Sequence, residues 1–442
     1  MQVIAALRRL WRHASFRRLL ALRTLSQAAD GTLQVGMASY ILFSPQSQPN
    51  AAAIAGVLAI TLLPFTVIGP FVSPLLDRWP RRNVALYSDV ARAGLAALIG
   101  LVIASGATTG GWAVVLYGAL LLAMSINRFM LAGLSAGLQH TVDADEYLTA
   151  SSILPTVGPL GVVIGAVLGF VTRAALGGVL PAHQADAVVF GLAAAMFVGS
   201  VLVCRGFARG ALGPDVAGER TSMRRVLAGL AAAGRHLRTR PAAVLALALM
   251  AVTRLLFGVW SVAVILAARH LWNPVDRPGD ALADLTVWGL VTGAGFILAA
   301  PVVPTLVRLL GLRRAATALL ATAAVVSVGA ALTTSMLPLL VASFFIGLTV
   351  QSFKICVDTI VQAHVDEEYK GRAFTFYDMG FNGAFVLAGL VAVAVLPPGG
   401  LSTPAFLGLA VVYAACAVVL AEVSRRLGRE ALERGTEDLL RA

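Results

Sequence analysis

The residues with the greatest capacity for chemistry in this sequence are charges set inside long apolar runs. Asp30 lies in the run 18–43, with Gln27 and Gln34 three and four residues away. On a helix that spacing puts all three on one face. Arg128 follows Asn127 in the run 112–136, Arg254 lies in 241–267, and Lys354 and Asp358 stand four apart in 337–360. Asp378 and Asn382 share a helical face at the start of 374–396. In a bilayer a charge at such depth costs at least ~2.5 kcal/mol on insertion scales, so it faces a cavity or a partner. Asp30 is therefore a candidate proton carrier, with a permanent ion pair or a helix-packing hydrogen bond as the alternative. Asp358 and Asp378 are the other candidates for that role. Lys354 and Asp358, as an i, i+4 pair, can simply neutralise each other. Arg128 and Arg254 have no acidic partner in their own runs. They call for a carboxylate from another helix or for an anionic substrate. With Gln27, Gln34, Asn127, Lys354 and Asn382 they form a candidate substrate-cavity set. Trp260 joins it, alongside Phe129, Phe257, Phe344, Phe345 and Phe381, although each aromatic residue taken singly reads first as helix packing.

The elements that position these residues must be membrane-spanning helices. The chain is 58% hydrophobic and 13% charged, with a mean hydropathy of +0.84. A soluble domain is about a quarter charged, so this chain lacks the polar surface to cover a water-soluble globule. Spanning ~30 Å of hydrocarbon takes roughly 20 helical residues. Twelve apolar blocks have that length: 18–43, 51–76, 84–104, 112–136, 149–172, 186–204, 241–267, 285–307, 315–333, 337–360, 374–396 and 403–421. They are continuous, unlike the alternating segments of an outer-membrane barrel. The expected fold is all-α: twelve transmembrane helices in two six-helix bundles.

The net charge of +12 is distributed by side, not clustered for nucleic acid. Arg8, Arg9, Arg12, Arg17 and Arg18 precede the first block, eight arginines lie between 205 and 240, and Arg425, Arg426, Arg429, Arg434 and Arg441 follow the last. Connections on the other side carry only Arg173, Arg269 and Arg277. By the positive-inside rule both termini and the central loop are cytoplasmic, in a bacterial plasma membrane. Cys204, Cys356 and Cys416 sit in or beside apolar blocks and read as packing residues. No cleavable signal peptide is expected, and the first block should remain as a spanning helix. The six histidines lack paired ligand spacing, so neither a metal nor a cofactor is expected. An enzyme is disfavoured, since no nucleophile–base constellation or phosphate-binding loop is present.

The expected organisation is a first bundle over 1–204, a cytoplasmic linker over 205–240, a second bundle over 241–421 and a charged tail over 422–442. Within the linker, Met223–Leu237 reads as an amphipathic helix with Val226, Leu227, Leu230 and Leu237 on one side, suited to the anionic cytoplasmic leaflet. The two halves resemble each other. Gln139-His-Thr-Val-Asp143-Ala-Asp-Glu-Tyr147 follows the fourth block, and Gln362-Ala-His-Val-Asp366-Glu-Glu-Tyr369 follows the tenth, 222 to 223 residues later. Duplicated halves with a binding site near the midplane are a recurrent transporter plan.

Between the second and third blocks stands Ser73-Pro-Leu-Leu-Asp77-Arg78-Trp-Pro-Arg81-Arg82. It resembles the Gly-x-x-x-Asp-Arg-x-x-Arg-Arg signature of the major facilitator superfamily, with Ser73 in place of the usual glycine. The stretch Phe16–Gly31 with its Ser26-Gln27-x-x-Asp30, the pair Asp89-Val-Ala-Arg92, and Glu368-Tyr-Lys-Gly371-Arg372 resemble the macrolide- and siderophore-exporter branch. The resemblance implies gating roles for Asp77 and Arg78, with Arg81 and Arg82 in the same motif. Asp89 and Arg92 read as a structural pair close to it. Gly158-Pro159-Leu-Gly161 and Gly165 are similar to the glycine-rich fifth helix of antiporters, implying a hinge. The expected function is proton-coupled export of amphipathic small molecules by a monomer working through alternating access. Lipid or lysolipid translocation, uptake of an anionic solute, and a non-transporting receptor or assembly subunit are the alternatives.

Overall fold

The computed structural model describes residues 9–43, 50–67, 79–106, 111–143, 146–208, 210–213, 223–274 and 277–428. Each apolar block becomes a helix: α1 Ala14–Phe43, α2 Ala51–Val67, α3 Arg81–Ala104, α4 Gly111–Gly137, α5 Tyr147–Leu176 and α6 Ala182–Arg205. After the linker helix α7 Met223–Arg238 come α8 Pro241–Ala267, α9 Pro278–Leu310, α10 Leu312–Ala331, α11 Met336–His364, α12 Glu367–Val395 and α13 Thr403–Arg426. Among the described residues ten helices are long and apolar enough to cross a membrane. With α1 and α2 they make up the twelve spans of an all-α, polytopic membrane protein. No strand occurs among the described residues, because in lipid a helix satisfies its own backbone.

The chain divides into two compact units. One comprises Met1–Ser47 and Val67–Val226, the other Gln48–Thr66 and Leu227–Ala442. The same pairing rule appears inside each: α1 packs on α5 and α3 on α6, and likewise α8 packs on α12 and α10 on α13. The first helix of each half meets its fifth, and the third meets its sixth. Residues Gln48–Thr66, which include most of α2, fall in the second unit. A small-residue approach occurs there, since a Cβ on Gly389 of α12 would stand 2.8 Å from the Cα of Ala55.

Glycine does the same work between α1 and α5. A Cβ on Gly161 would stand 2.7 Å from the Thr24 carbonyl oxygen, and one on Gly165 would run into the Ala28 carbonyl more closely still. The Thr32 hydroxyl donates to the Gly165 carbonyl at 2.9 Å. Such close backbone approach is how helices associate where lipid offers no hydrophobic driving force. The helix α5 runs unbroken through Gly158 and Pro159, and Gly158 lies against the Arg23 side chain.

The repeated acidic strings have the same structural job in both units. His13, just ahead of α1, bonds Glu146 at 2.7 Å and lies 3.8 Å from Asp143. His236, just ahead of α8, lies 3.8 Å from Asp366, which Arg240 holds at 2.7 Å. His13 and His236 are separated by the same interval as Asp143 and Asp366. Each string thus ties down the segment that leads into the first helix of its half. The linker helix α7 uses its small face here: Ala233 and Leu237 are buried, Gly229 meets Arg372, and His236 stacks on Tyr369 at 4.5 Å. Leu227 remains 51% exposed, on the side left for solvent or lipid.

Candidate functional site

Unit one carries a closed polar cluster built from four helices. Ser26, Gln27 and Asp30 share a face of α1. Asp89 and Arg92 come from α3, Asn127 and Met130 from α4, and Phe197 and Ser200 from α6. Asp30, Asp89 and Arg92 are wholly inaccessible. Arg92 Nη1 donates to Asp30 Oδ1 at 3.0 Å and to Asn127 Oδ1 at 3.1 Å. Its Nη2 donates to Ser26 Oγ at 2.5 Å and to Asp89 Oδ1. The other Asp89 oxygen accepts from Ser200 Oγ at 2.5 Å, and Ser26 Oγ donates to Asp89 at 3.1 Å. Gln27 Nε2 bridges Asn127 at 3.0 Å and Asp30 at 3.3 Å. Phe197 lies under the Arg92 guanidinium at 4.5 Å, a cation–π contact that covers the remaining face. Two carboxyls share one guanidinium, so the cluster is electrically neutral when one carboxyl holds a proton.

The sequence points to Asp30 and Gln27 but ascribes Arg92 to a local pair near the signature loop. The structure gives Arg92 both roles, pairing with Asp89 within α3 and with Asp30 across to α1. Gln34 is half-buried and takes no part in the network. Arg23 instead donates to Ser135 at 3.3 Å. The signature residues Asp77 and Arg78 lie outside the described residues. Arg81 donates to His140 at 3.0 Å and to the Leu212 carbonyl at 3.3 Å, fastening the start of α3 to two connections. Arg82 reaches Asn83 at 3.5 Å. Arg128 is half-buried on α4.

Unit two carries a different kind of site, on α8, α11 and α12. The Arg254 guanidinium lies between the rings of Phe381 and Phe385, 4.2 Å from each centroid, with Phe257 at 5.4 Å. The Lys354 ammonium pairs with Asp358 at 2.9 Å and lies 5.3 Å from the Tyr377 ring and 6.0 Å from Phe381. Tyr377 stacks on Phe381 at 6.1 Å. The sequence names Arg254, Lys354, Asp358, Phe257 and Phe381 separately; the structure brings them together and adds Tyr377 and Phe385. Those two lie four residues to either side of Phe381 on α12, a spacing that would have placed them on its face.

Two of the candidate cavity residues are engaged within the fold. Trp260 does not line a cavity: it is 1% exposed, donates to Ser343 at 3.0 Å and packs edge-on against Phe406. Its indole fills the core of unit two, since a buried Trp N–H needs an acceptor. Asn382 donates to the Asp378 carbonyl one turn earlier at 2.9 Å, so its amide serves its own helix. Asp378 is half-buried and engaged. All three cysteines are buried and free.

No family model matches the chain. Over 416 residues it is 32% identical to an uncharacterized MFS-type transporter of Mycobacterium tuberculosis, covering 93% of this chain and 91% of that protein. The Mycobacterium bovis counterpart matches to the same degree. Among solved structures, a POT family transporter in complex with 5-aminolevulinic acid superposes with a TM-score of 0.68 at 12% identity, over 93% of this chain and 96% of that one. The chain belongs to the MFS-type transporters, the major facilitator superfamily. It is a membrane transporter and not an enzyme.

Proposed function

We propose that this transporter exports amphipathic small molecules in exchange for protons, by alternating access, from a bacterial plasma membrane with its arginine-rich side in the cytoplasm. The observation that carries the reading is the buried cluster of unit one, in which Asp30 and Asp89 share a single cation, Arg92. Isolated charge is costly in hydrocarbon, and the cluster sheds its surplus negative charge by taking up one proton. Asp89 accepts from Arg92, Ser26 and Ser200, whereas Asp30 accepts from Arg92 and, more weakly, Gln27. Asp30 is accordingly the proton's seat, and rearrangement of the α1–α3 contact releases it. Asp77 and Arg78 act as the gate that the superfamily signature implies. The mycobacterial relatives support the bacterial setting.

Purified protein in liposomes tests the reading. An imposed pH gradient should drive accumulation of at least one amphipathic dye or drug from a diverse panel, and an uncoupler should abolish it. Downhill flux that ignores the gradient for every compound on the panel would leave a facilitator in place of an antiporter.

A further inference from the structure

We infer that the aromatic clamp around Arg254 is the seat of the substrate's acidic group, and that the transported molecule is an amphipathic anion. The inference deepens the transport reading and rests on it. Arg254 sits at the middle of α8, thirteen residues from either end. A guanidinium at that depth calls for a counter-charge, a water-filled cavity or a ligand. Among the described residues no carboxylate lies within ion-pairing distance of it, and its Nε is buried without a hydrogen-bond partner. The contrast with Arg92, whose two terminal nitrogens are engaged with two carboxylates, is plain.

The two phenylalanine faces hold the guanidinium plane but accept none of its N–H groups; cation–π attraction acts on the faces and leaves the five in-plane donors to another group. An oxyanion, carboxylate or phosphate, fits those donors in the bidentate manner arginine favours. Lys354 is already paired with Asp358, so Arg254 is the cation left to be matched. The neighbours set the rest of the molecule. Phe257, Phe381 and Phe385 surround the cation, so the part of the ligand next to its acid must be apolar. Lys354, bonded to Asp358 and within reach of the same Phe381 ring, is a second cation that can follow the acid.

Equilibrium binding in nanodiscs decides it, with three fluorescent probes that share one body: 1-pyrenebutyrate, its methyl ester, and a pyrenebutyl trimethylammonium salt. The acid should bind at least about tenfold more tightly than the ester or the ammonium, the worth of one charge-assisted hydrogen bond of about 1.4 kcal/mol. Arg254→Gln should erase that preference, and Arg254→Lys should keep part of it. Phe385→Leu should weaken all three probes while preserving the preference for the acid. Displacement of bound pyrenebutyrate by a lysophosphatidic acid, against displacement by decanoate, separates a phosphate headgroup from a free carboxylate. Equal affinity for acid and ester in the wild type would overturn the proposal, and so would an undiminished preference in Arg254→Gln. The wild-type comparison stands even if that variant does not fold. The measurement involves no gradient, so it fails or succeeds independently of proton coupling.

Discussion

A buried arginine between two buried aspartates has an asymmetric energetic role. The intact trio is close to neutral in net benefit, because desolvation of three charges offsets their attraction; removing the cation leaves both carboxyls stranded and costs about 3–5 kcal/mol. Arg92→Gln should therefore lower the melting temperature in detergent far more than Arg254→Gln, whose side chain pairs with no carboxylate among the described residues. Equal melting temperatures for the two variants would mean that the trio does not hold α1, α3 and α4 together. At this scale the sequence was half legible. Asp30 stands out because an acid is conspicuous in an apolar run, and Gln27 follows from helical spacing. Arg92 does not stand out, because Asp89 three residues earlier already explains it locally. Its second partner depends on which faces of α1 and α3 meet, a non-local fact. Arg254 was legible as an unpaired cation, but the clamp of Phe381 and Phe385 was not.

Among the elements, α5 shows what its glycines contribute. The α1–α5 seam leaves no room at Gly161 or Gly165 for a side chain, and overpacking of this sort costs about 1–3 kcal/mol or more. Gly165→Leu should destabilise the protein or separate the helices, whereas Gly191→Leu on α6, where a Cβ meets nothing within 4 Å, should fold normally. A normal melting temperature for Gly165→Leu would contradict the seam. The one-residue link between α9 and α10 is equally specific: Gly311 has φ 77° and ψ 156°, a region open essentially to glycine alone. Gly311→Val should cost about 1–3 kcal/mol, read as a fall in melting temperature. Element existence was readable throughout, since each block has the length and continuity of a span. The partnership of α2 was not, because it turns on a small-residue contact with α12, far away in sequence.

For the molecule as a whole, the repeated His–Asp pairs and the repeated helix pairings make the two halves copies of one plan, as the duplicated strings after the fourth and tenth blocks suggest. The positive-inside rule makes the arginine-rich side the cytoplasmic one, an expectation open to test. The three native cysteines are buried, so cysteine labelling can test sidedness in the natural background. Arg224→Cys in the linker helix should react with an impermeant maleimide only after cells are opened, and Ser105→Cys beyond the far end of α3 should react in intact cells. The reverse pattern would invert the membrane orientation. The central claim, that the carboxyl excess around Arg92 carries the coupling proton, is tested most directly by Asp30→Asn in liposomes loaded to give a pH gradient. The amide cannot exchange a proton, yet it retains the shape and can still accept from Arg92. The variant should continue to exchange substrate down its gradient, and gradient-driven accumulation should be lost. If Asp30→Asn still concentrates substrate in response to the pH gradient, Asp30 is not the proton carrier and the account of this cluster is wrong.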